Sequence, residues 1–324
     1  MFCNVYRGSK IESLHSVYAV ALNEDNNIIF SSGNPDHLTC IRSSLKPFQA
    51  STAILIGATK TAKFSTKEIA LMCASHSGEQ IHIDAAKSMM KKLNYKMSVF
   101  ECGSHPPFNN KDRKKLYATS KNFTPFHNNC SGKHAGMLSI ARQLNVRAKG
   151  YIKKNHPVQQ AIIKQLKRLT NKNFLFSIDG CSAPTPFMSL MDIAKLYQML
   201  GSTKFPELYT AYQAMYKHPY YIGGKNRFDT DFAIALNGRG ICKAGGEAIR
   251  GIVVNTKKYG RMGIALKVLD GNQRAIESAT MAILNHLNIL ETKEKEYLKK
   301  YETTLLYNLK KIHIGKIKTE IIIN

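Results

Sequence analysis

The chain has 324 residues, 44% of them apolar and only 10 of them proline, a composition typical of a packed globule that excludes a fibrous or wholly disordered protein. Lysine and arginine together number 47 against 22 acidic residues, a formal charge of +25 that favours contact with anions. No window approaches the roughly 18 apolar residues that cross a bilayer, and the first residues lack the apolar stretch of an export signal. We therefore expect a cytoplasmic protein with no membrane partner.

The positive charge has a simpler explanation than nucleic-acid binding. Basic residues are spread along the chain, and acids interrupt the densest run, KEKEYLKKYETTLLYNLKK, which is predicted to be a helix with a solvated face. No zinc finger, RNP-like aromatic motif or continuous basic region accompanies the charge. A basic nucleic-acid-binding protein is therefore kept only as an alternative from a different class of function.

The seven cysteines are odd in number, dispersed and without a close CxxC pair. A disulfide framework is therefore not predicted, and several cysteines are expected to lie in the core as small apolar groups.

Taken in chain order, the first elements are strands and the next are helices. Residues 16–22 and 28–30 are β-rich and flank a turn cluster, which predicts a hairpin. Residues 43–60 are predicted to be helical, and Pro47 fixes the start because proline is tolerated only in a first turn. Further helices are predicted from the Ser65 to Glu68 capping box, after Gly78, near Asp112, and over 134–144 and 158–169.

From Gly238 onward the pattern changes to strands: GICKAGG, AIRGIVVNT and RMGIALKVLDGN, followed by a closing helix over about 274–290. Strands at both ends predict an α+β fold with one antiparallel sheet built from the N- and C-terminal segments and covered by helices. We predict a single catalytic unit over 1–324, with a sheet subdomain of about 1–42 and 238–324 and a mainly helical region of about 43–237.

Ser43 and Lys46 form the pattern S-x-x-K. At this spacing both side chains lie on one face of a helix. A serine hydroxyl is a poor nucleophile until a base removes its proton, and a partly desolvated lysine can be that base. The pattern alone is weak, since it also occurs by chance at helix starts.

Later segments strengthen this interpretation. Lys243-Ala244-Gly245 lies on a late strand followed by more strands and a terminal helix, the order expected of the K-T-G strand of penicillin-binding proteins and β-lactamases. Ser75, in Ser-His-Ser-Gly, is the natural candidate for the middle serine of such a site. It differs from the S-D-N of those enzymes.

Seven segments carry a more specific signal. They are VYRGSKIESLH, CIRSSLKPFQA, MCASHSGE, CGSHPP, NNCSGKHAGML, DGCSAPT and CKAGGEAIRG. In these segments and their order, over nearly its full length, the chain resembles the asparaginase II family, the Rhizobium etli type of asparaginase.

The resemblance implies a serine β-lactamase-like fold, a homodimer and hydrolysis of L-asparagine to L-aspartate and ammonia. It implies two serine–lysine pairs, Ser43 with Lys46 and Ser75 with Lys243. It also implies one zinc ion per chain close to the reaction centre. The implied zinc ligands are Cys130, Lys133 and Cys181.

Other polar residues are candidates for substrate binding. Arg42 is placed to hold a substrate carboxylate in two bonds, or alternatively to form a surface salt bridge. Asp179 is a candidate for a substrate ammonium, or for simple turn chemistry before a glycine. His134 and Gly245 complete the predicted substrate set, whereas His76 and His105 fit a structural role equally well.

The predicted mechanism has Ser43, deprotonated by Lys46, attack the amide carbonyl, but the sequence alone does not decide whether Ser43 or Ser75 is acylated. The nearest functional alternatives are a glutaminase and a penicillin-recognising serine acylase of the same fold, which act on other amides.

Overall fold

A computed structural model describes residues 1–119 and 122–321. The chain divides into two compact units. We call Met1–Ser44, Met188–Met199 and Ile234–Asn324 the sheet unit, and Leu45–Phe187 and Leu200–Ala233 the helical unit. The sequence had placed residues 188–199 in the helical region, whereas the structure assigns them to the sheet unit.

The strands in chain order are β1 (Phe2–Arg7), β2 (Lys10–Leu22), β3 (Ile28–Ser32), β4 (Leu38–Cys40), β5 (Phe176–Ile178), β6 (Pro184–Ser189), β7 (Gly240–Gly245), β8 (Ile249–Thr256), β9 (Gly260–Val268), β10 (Thr303–Tyr307) and β11 (His313–Glu320). The helices are α1 (Lys46–Leu55), α2 (Ala58–Thr61), α3 (Thr66–Met72), α4 (Gln80–Lys92), α5 (Asn110–Ala118), α6 (Ser131–Gln143), α7 (Pro157–Thr170), α8 (Leu190–Leu200), α9 (Pro206–Lys217), α10 (Phe228–Leu236), α11 (Ile276–His286) and α12 (Thr292–Leu298). None of these helices, in the part of the chain described, is long and apolar enough to span a bilayer.

The sheet unit contains an eight-stranded sheet in the order β10-β11-β1-β2-β9-β8-β7, with β3 paired to β2. Its pairings are antiparallel, and β1 from the N-terminus pairs with β11 from the C-terminus in the register Phe2 with Glu320. The predicted α+β fold, with an antiparallel sheet built from both ends of the chain, is confirmed.

Two glycines bring α8 close to the sheet. A Cβ placed at Gly251 on β8 would lie 1.9 Å from a ring carbon of Tyr197, and one at Gly263 on β9 would lie 2.0 Å from the Ala194 carbonyl oxygen. No real Cβ tolerates such contacts, so only glycine permits this packing. On β8 and β9 nearly all side chains are buried, as expected for central strands covered by helices.

The helical unit is organised around α6, whose residues from Ser131 to Ala141 are all buried. Two glycines one turn apart allow α3 to approach it closely. A Cβ at Gly132 would lie 2.3 Å from the Leu71 carbonyl oxygen, and one at Gly136 would lie 2.8 Å from Met72 Cε. The backbone of α6 is therefore fixed against the end of α3.

Most predicted elements are observed near their predicted bounds. Ser65 caps α3 and forms the predicted capping box with Glu68, and the predicted hairpin is β2–β3. Around Ser43 the chain forms a single 3-10 turn, Arg42–Leu45, and the α-helix begins only at Lys46. The helix predicted for the charged run near the C-terminus is wrong in its second half, because Thr303–Tyr307 is β-branched and apolar and pairs with β11.

Candidate active site

The predicted site residues are divided between the two units. Arg42, Ser43, Lys243 and Gly245 belong to the sheet unit. The remaining seven belong to the helical unit and come from the first turn of α1, the loop after α3, the start of α6 and the loop between β5 and β6; they are Lys46, Ser75, Cys130, Lys133, His134, Asp179 and Cys181.

Lys46 and Ser75 are in direct contact. Lys46 is 1% exposed, and its Nζ lies 2.9 Å from Ser75 Oγ. The same nitrogen donates to the carbonyl oxygens of Ala74 at 2.5 Å and Asn129 at 3.4 Å. The sequence had paired Lys46 with Ser43 and Ser75 with Lys243, and neither pairing includes this contact between residues 29 positions apart.

Two histidines hold the loop that carries Ser75. His76 Nδ1 accepts the Gly78 N–H, which leaves Nε2–H to donate to Ser131 Oγ at 2.9 Å. His82 stacks on His76 with ring centroids 4.8 Å apart and bonds the Tyr220 carbonyl oxygen through Nε2. Burial lowers the pKa of both rings, so both are neutral. His76 therefore has a structural role.

His105 also has a structural role. Its Nδ1 donates to the Pro106 carbonyl oxygen at 2.7 Å, and its Nε2 accepts the Asn129 N–H at 3.0 Å. The imidazole thereby fixes Asn129, whose carbonyl receives Lys46 and whose side-chain oxygen lies 3.2 Å from Cys130 Sγ. Asn129 was missed at the sequence level, although it lies inside the NNCSGK segment.

The three predicted zinc ligands converge in the interior of the helical unit. Lys133 Nζ lies 2.6 Å from Cys181 Sγ, and all three residues are 4% exposed. A hydrogen bond from Cys181, with the charges of Lys46 and Lys133, outweighs burial and holds the pKa of Cys130 well below the ordinary thiol value. That hydrogen bond, together with burial, raises the pKa of Cys181.

The lysine of this group is held as a cation. Burial alone would lower the pKa of Lys133, but the neighbouring Cys181 and Cys130 sulfurs outweigh it and raise the pKa. A nearby thiol, Cys102, keeps its proton because burial raises its pKa to about 12. The Lys133 ammonium is therefore stabilised by the two cysteine sulfurs beside it.

Two sulfurs and one amine nitrogen form a donor set that Zn²⁺ accepts. No group of three or more His, Cys, Asp or Glu side chains suited to a metal occurs in the residues described, so the zinc that the family resemblance implies would need the lysine as its third ligand. It would have to lose a proton to do so, and a dication at this place would favour that loss. The residues present fit the predicted zinc.

His134 faces this cluster with its Nε2 nitrogen. Tyr151 accepts the Glu101 N–H at 3.0 Å and directs its own hydroxyl to His134 Nδ1 at 2.7 Å. With the Tyr151 hydroxyl donating to Nδ1, the proton of His134 is on Nε2, which is buried, forms no hydrogen bond of ordinary geometry within the described residues, and has Cys181 as its neighbour. Burial and the Lys133 charge lower the pKa of His134 to about 4. The ring is thus a neutral imidazole that lies beside Cys181.

Asp179 lies in the turn that presents Cys181. Its carbonyl oxygen accepts the Ser182 N–H at 2.8 Å, and its Oδ2 lies 3.5 Å from Cys181 Sγ. Ser182 has φ 71°, a left-handed conformation uncommon for a residue with a Cβ. Turn chemistry and proximity to the cysteine cluster are therefore both present at Asp179.

In the sheet unit the predicted residues gather at the end of β7. Ser44 Oγ donates to the Lys243 carbonyl oxygen at 2.8 Å, and Tyr197 donates to the Ser44 carbonyl oxygen at 2.7 Å. A Cβ at Gly246 would lie 2.9 Å from Arg42 Nη2, so the guanidinium lies directly over this glycine pair. Arg42 itself has φ 51°.

Comparison with solved structures gives only distant similarities. Among solved structures, the chain is similar to a β-lactamase from Francisella tularensis (14% identity, TM-score 0.40, covering 85% of this chain and 94% of that one) and to a class A β-lactamase from Bacteroides cellulosilyticus DSM 14838 (13% identity, TM-score 0.41, covering 89% and 92%). A search of curated proteins found no significant match.

The family comparison covers nearly the whole chain and is independent of those structures. The sequence model of L-asparaginase II matches residues 3–319, a span that includes every predicted site residue. The predicted resemblance is confirmed, and the chain belongs to the L-asparaginase II family.

Proposed function

We propose that the protein is an amidohydrolase that converts L-asparagine to L-aspartate and ammonia by serine–lysine catalysis. Membership of the L-asparaginase II family supports the amidohydrolase class. The observation that carries the mechanism is the 2.9 Å contact between Lys46 Nζ and Ser75 Oγ. It supplies a hydroxyl with a basic group in hydrogen-bond reach, which is the first geometric requirement for an activated nucleophile.

The surroundings of Lys46 suit proton transfer. With two N–H bonds directed at the carbonyls of Ala74 and Asn129, the remaining position on Nζ faces Ser75 Oγ. A neutral amine there accepts the hydroxyl proton, and the resulting ammonium can return it to the departing ammonia. The acyl-enzyme is then hydrolysed by water.

In this proposal Ser43 and Lys243 complete the site; the sequence predicts Ser43 as the nucleophile, and the contact with Lys46 favours Ser75. Arg42 and Gly245 would bind the substrate carboxylate end, Asp179 its ammonium, and His134 would donate from Nε2. A zinc ion held by Cys130, Lys133 and Cys181 would act as a Lewis acid or hold the loops in place. A homodimer is proposed on the family resemblance alone.

The test is ammonia release from L-asparagine and from L-glutamine by the purified protein, with nitrocefin as the β-lactam control. We expect L-asparagine to be hydrolysed with the highest kcat/KM. Ser75→Ala should lower kcat by about 10²-fold or more. Ser77→Ala is the matched control in the same loop, because Ser77 Oγ only bonds the Gly223 carbonyl oxygen.

Mass spectrometry of a trapped acyl-enzyme identifies the nucleophile. A label on Ser43 supports the predicted assignment, and a label on Ser75 alone replaces it with Ser75. Wild-type turnover by both serine-to-alanine variants would contradict serine catalysis.

Elemental analysis tests the zinc. We expect about one zinc per chain, lost in Cys130→Ser and Cys181→Ser and retained in Cys102→Ser, the matched buried thiol. Equal metal content in all three variants would contradict the assigned ligands.

A further inference from the structure

A cavity in the helical unit is lined by residues outside the predicted site set. It has a volume of about 590 Å³, which is within the usual range for small-molecule pockets. Its wall comes from Glu101 and from the loop that joins α6 to α7. The lining residues that bear on its chemistry are Glu101, Arg147, Lys149, Gly150, Lys153 and His156.

The loop side of this cavity is basic. Arg147, Lys149 and Lys153 line it, and none of them forms an ion pair with a carboxylate in the described part of the chain. Three such cations around one concave surface favour an anionic group.

This loop is held in shape. His156 donates through Nε2 to the Arg147 carbonyl oxygen at 2.8 Å and caps α7 with Nδ1, which accepts the Val158 N–H. Gln159 binds the Tyr151 carbonyl oxygen at 2.8 Å. The cavity is therefore formed before any ligand arrives, which lowers the entropic cost of binding.

Glu101 adds the opposite charge to the same wall. Its Oε1 accepts the Gly150 N–H at 2.7 Å, whereas its Oε2 is buried and has no hydrogen-bond donor among the residues described. Leaving a buried carboxylate oxygen unpaired is unfavourable, and such an atom calls for a missing donor. Because Glu101 also lines the cavity, a small movement of its side chain on binding would let a ligand ammonium group pair with this oxygen.

We infer that this cavity is a second binding site for a small amphoteric molecule, an α-amino acid, whose carboxylate is held by Arg147, Lys149 and Lys153 and whose ammonium is held by Glu101. A purely anionic ligand would leave the Glu101 carboxylate without a partner, and the two negative charges would repel each other. A purely cationic ligand would meet the three basic side chains.

The cavity is also connected to the candidate active site. The Glu101 N–H donates to Tyr151, and Tyr151 donates to His134. A ligand that moves Glu101 therefore moves the tyrosine that orients the His134 ring. Occupancy of the cavity then changes the rate of hydrolysis, and this second part of the inference rests on the proposed function.

Binding is tested without turnover, by ¹⁵N NMR of the full-length protein titrated with L-aspartate, following the Gly150 amide. We expect a saturable shift. The Lys149→Ala/Lys153→Ala and Glu101→Gln variants should each weaken binding about tenfold or more, because each removes charge-assisted hydrogen bonds. Succinate, which lacks the ammonium, should bind about tenfold more weakly to the wild type.

Lys164→Ala/Lys167→Ala is the matched control, because it removes two exposed lysines from α7 outside the cavity. It should bind L-aspartate as the wild type does. An unshifted Gly150 amide, or equal loss of binding in the two double variants, would overturn the second site. Since Lys149 and Lys153 are exposed, their double variant should fold even if Glu101→Gln does not.

The rate assay then separates the two proposals. L-Aspartate should change ammonia release by the wild type in a way that Lys149→Ala/Lys153→Ala does not show. An identical response of both proteins would overturn the coupling. Absence of ammonia release from both would overturn the proposed function and leave the binding result standing.

Discussion

The helical unit and the sheet unit differ in the contacts that constrain their packing. In the helical unit, charged side chains such as Lys46, Glu68 and Lys133 are almost completely buried and hydrogen-bonded to neighbouring groups. The sheet unit also buries charged side chains, Lys243 and Arg250. Its packing, however, is set by steric contacts where α8 lies against Gly251 and Gly263. The first arrangement depends on protonation and hydrogen bonding, and the second on the volume of single side chains.

This difference teaches where each unit is vulnerable. A buried polar network is stable only while every partner keeps its charge, since an unpaired buried group is costly. A sheet packed through glycines is intolerant of one added methyl group. The two units should therefore respond to different perturbations.

The largest effect is expected at Lys46. Lys46→Met should lower kcat by about 10³-fold, within the range for loss of a general base, because Ser75 Oγ loses its proton acceptor. Lys60→Met, which replaces an exposed lysine of the same unit, is the control and should keep wild-type turnover. A folded Lys46→Met protein with full activity would show that the buried lysine is only structural.

The sheet unit is tested by Gly263→Ala. The new Cβ would meet the Ala194 carbonyl oxygen at 2.0 Å, so we expect a loss of about 3 kcal/mol in the free energy of unfolding by urea. Gly8→Ala is the control: Gly8 has φ 58° but open space around it, and should lose only about 1 kcal/mol. Equal losses would mean that backbone conformation, not packing, limits this unit.

Glu68 tests the polar network of the helical unit. Burial alone would raise its pKa, but hydrogen bonds from Lys92, Ser65 and Ser88 outweigh burial and lower the pKa. Glu68→Gln should therefore cost about 1–3 kcal/mol at pH 7. The difference from wild type should shrink as the pH falls below 4.5 and through the folded-state pKa, because the native carboxylate then loses its charge.

The control for this experiment is Glu296→Gln, an exposed acid paired only with Lys299, which should change stability little at either pH. A Glu68→Gln difference that is constant between pH 7 and pH 3 would contradict the lowered pKa.

The histidines give a smaller effect of pH on stability, and this effect begins closer to neutral pH. Because burial lowers the pKa of His76 and His82 below 6.5, the unfolded chain binds more protons than the folded one just below pH 6.5. Stability should fall there by roughly 1.4 kcal/mol per pH unit for each ring at most. His82→Gln should flatten this slope in urea unfolding at pH 7, 6 and 5; an unchanged slope would exclude His82 as a source.

The smallest effect is expected at Arg42, whose φ of 51° is strained for any residue with a Cβ. Arg42→Gly should be more stable than Arg42→Ala by about 0.5–1 kcal/mol, measured as the difference between their free energies of unfolding. Both variants should raise KM for L-asparagine if Arg42 binds its carboxylate. Equal stability of the two variants would mean that the turn relaxes when the arginine is removed.

Local signals in the sequence predicted the elements well. The Ser65 capping box, the hairpin before residue 33 and the apolar strands after Gly238 each depend on neighbours close in sequence, and all are observed. The helix predicted for the charged run after residue 292 is wrong only in its second half, because pairing with β11 decides the conformation of Thr303–Tyr307. A lone sequence does not show such a distant partner.

The candidate site shows the same limit. The residue types and the family were predictable from seven segments, but the contact between Lys46 and Ser75 joins two loops and has no local signal. Tyr151 was also missed, because nothing around it in the sequence marks a residue that orients His134. Asn129, within a segment already singled out, was the one omission that closer reading could have avoided.

The glycine pair of α6 has a practical consequence for anyone redesigning this protein. Gly132 directly precedes Lys133 at the start of α6. This turn of α6 packs against α3, which ends three residues before Ser75. The close packing of these two helices therefore sets the distance between the serine loop and the cysteine–lysine cluster. Variant libraries designed for new amide substrates should keep both glycines, because replacing them would change the distance between the serine loop and the cysteine–lysine cluster.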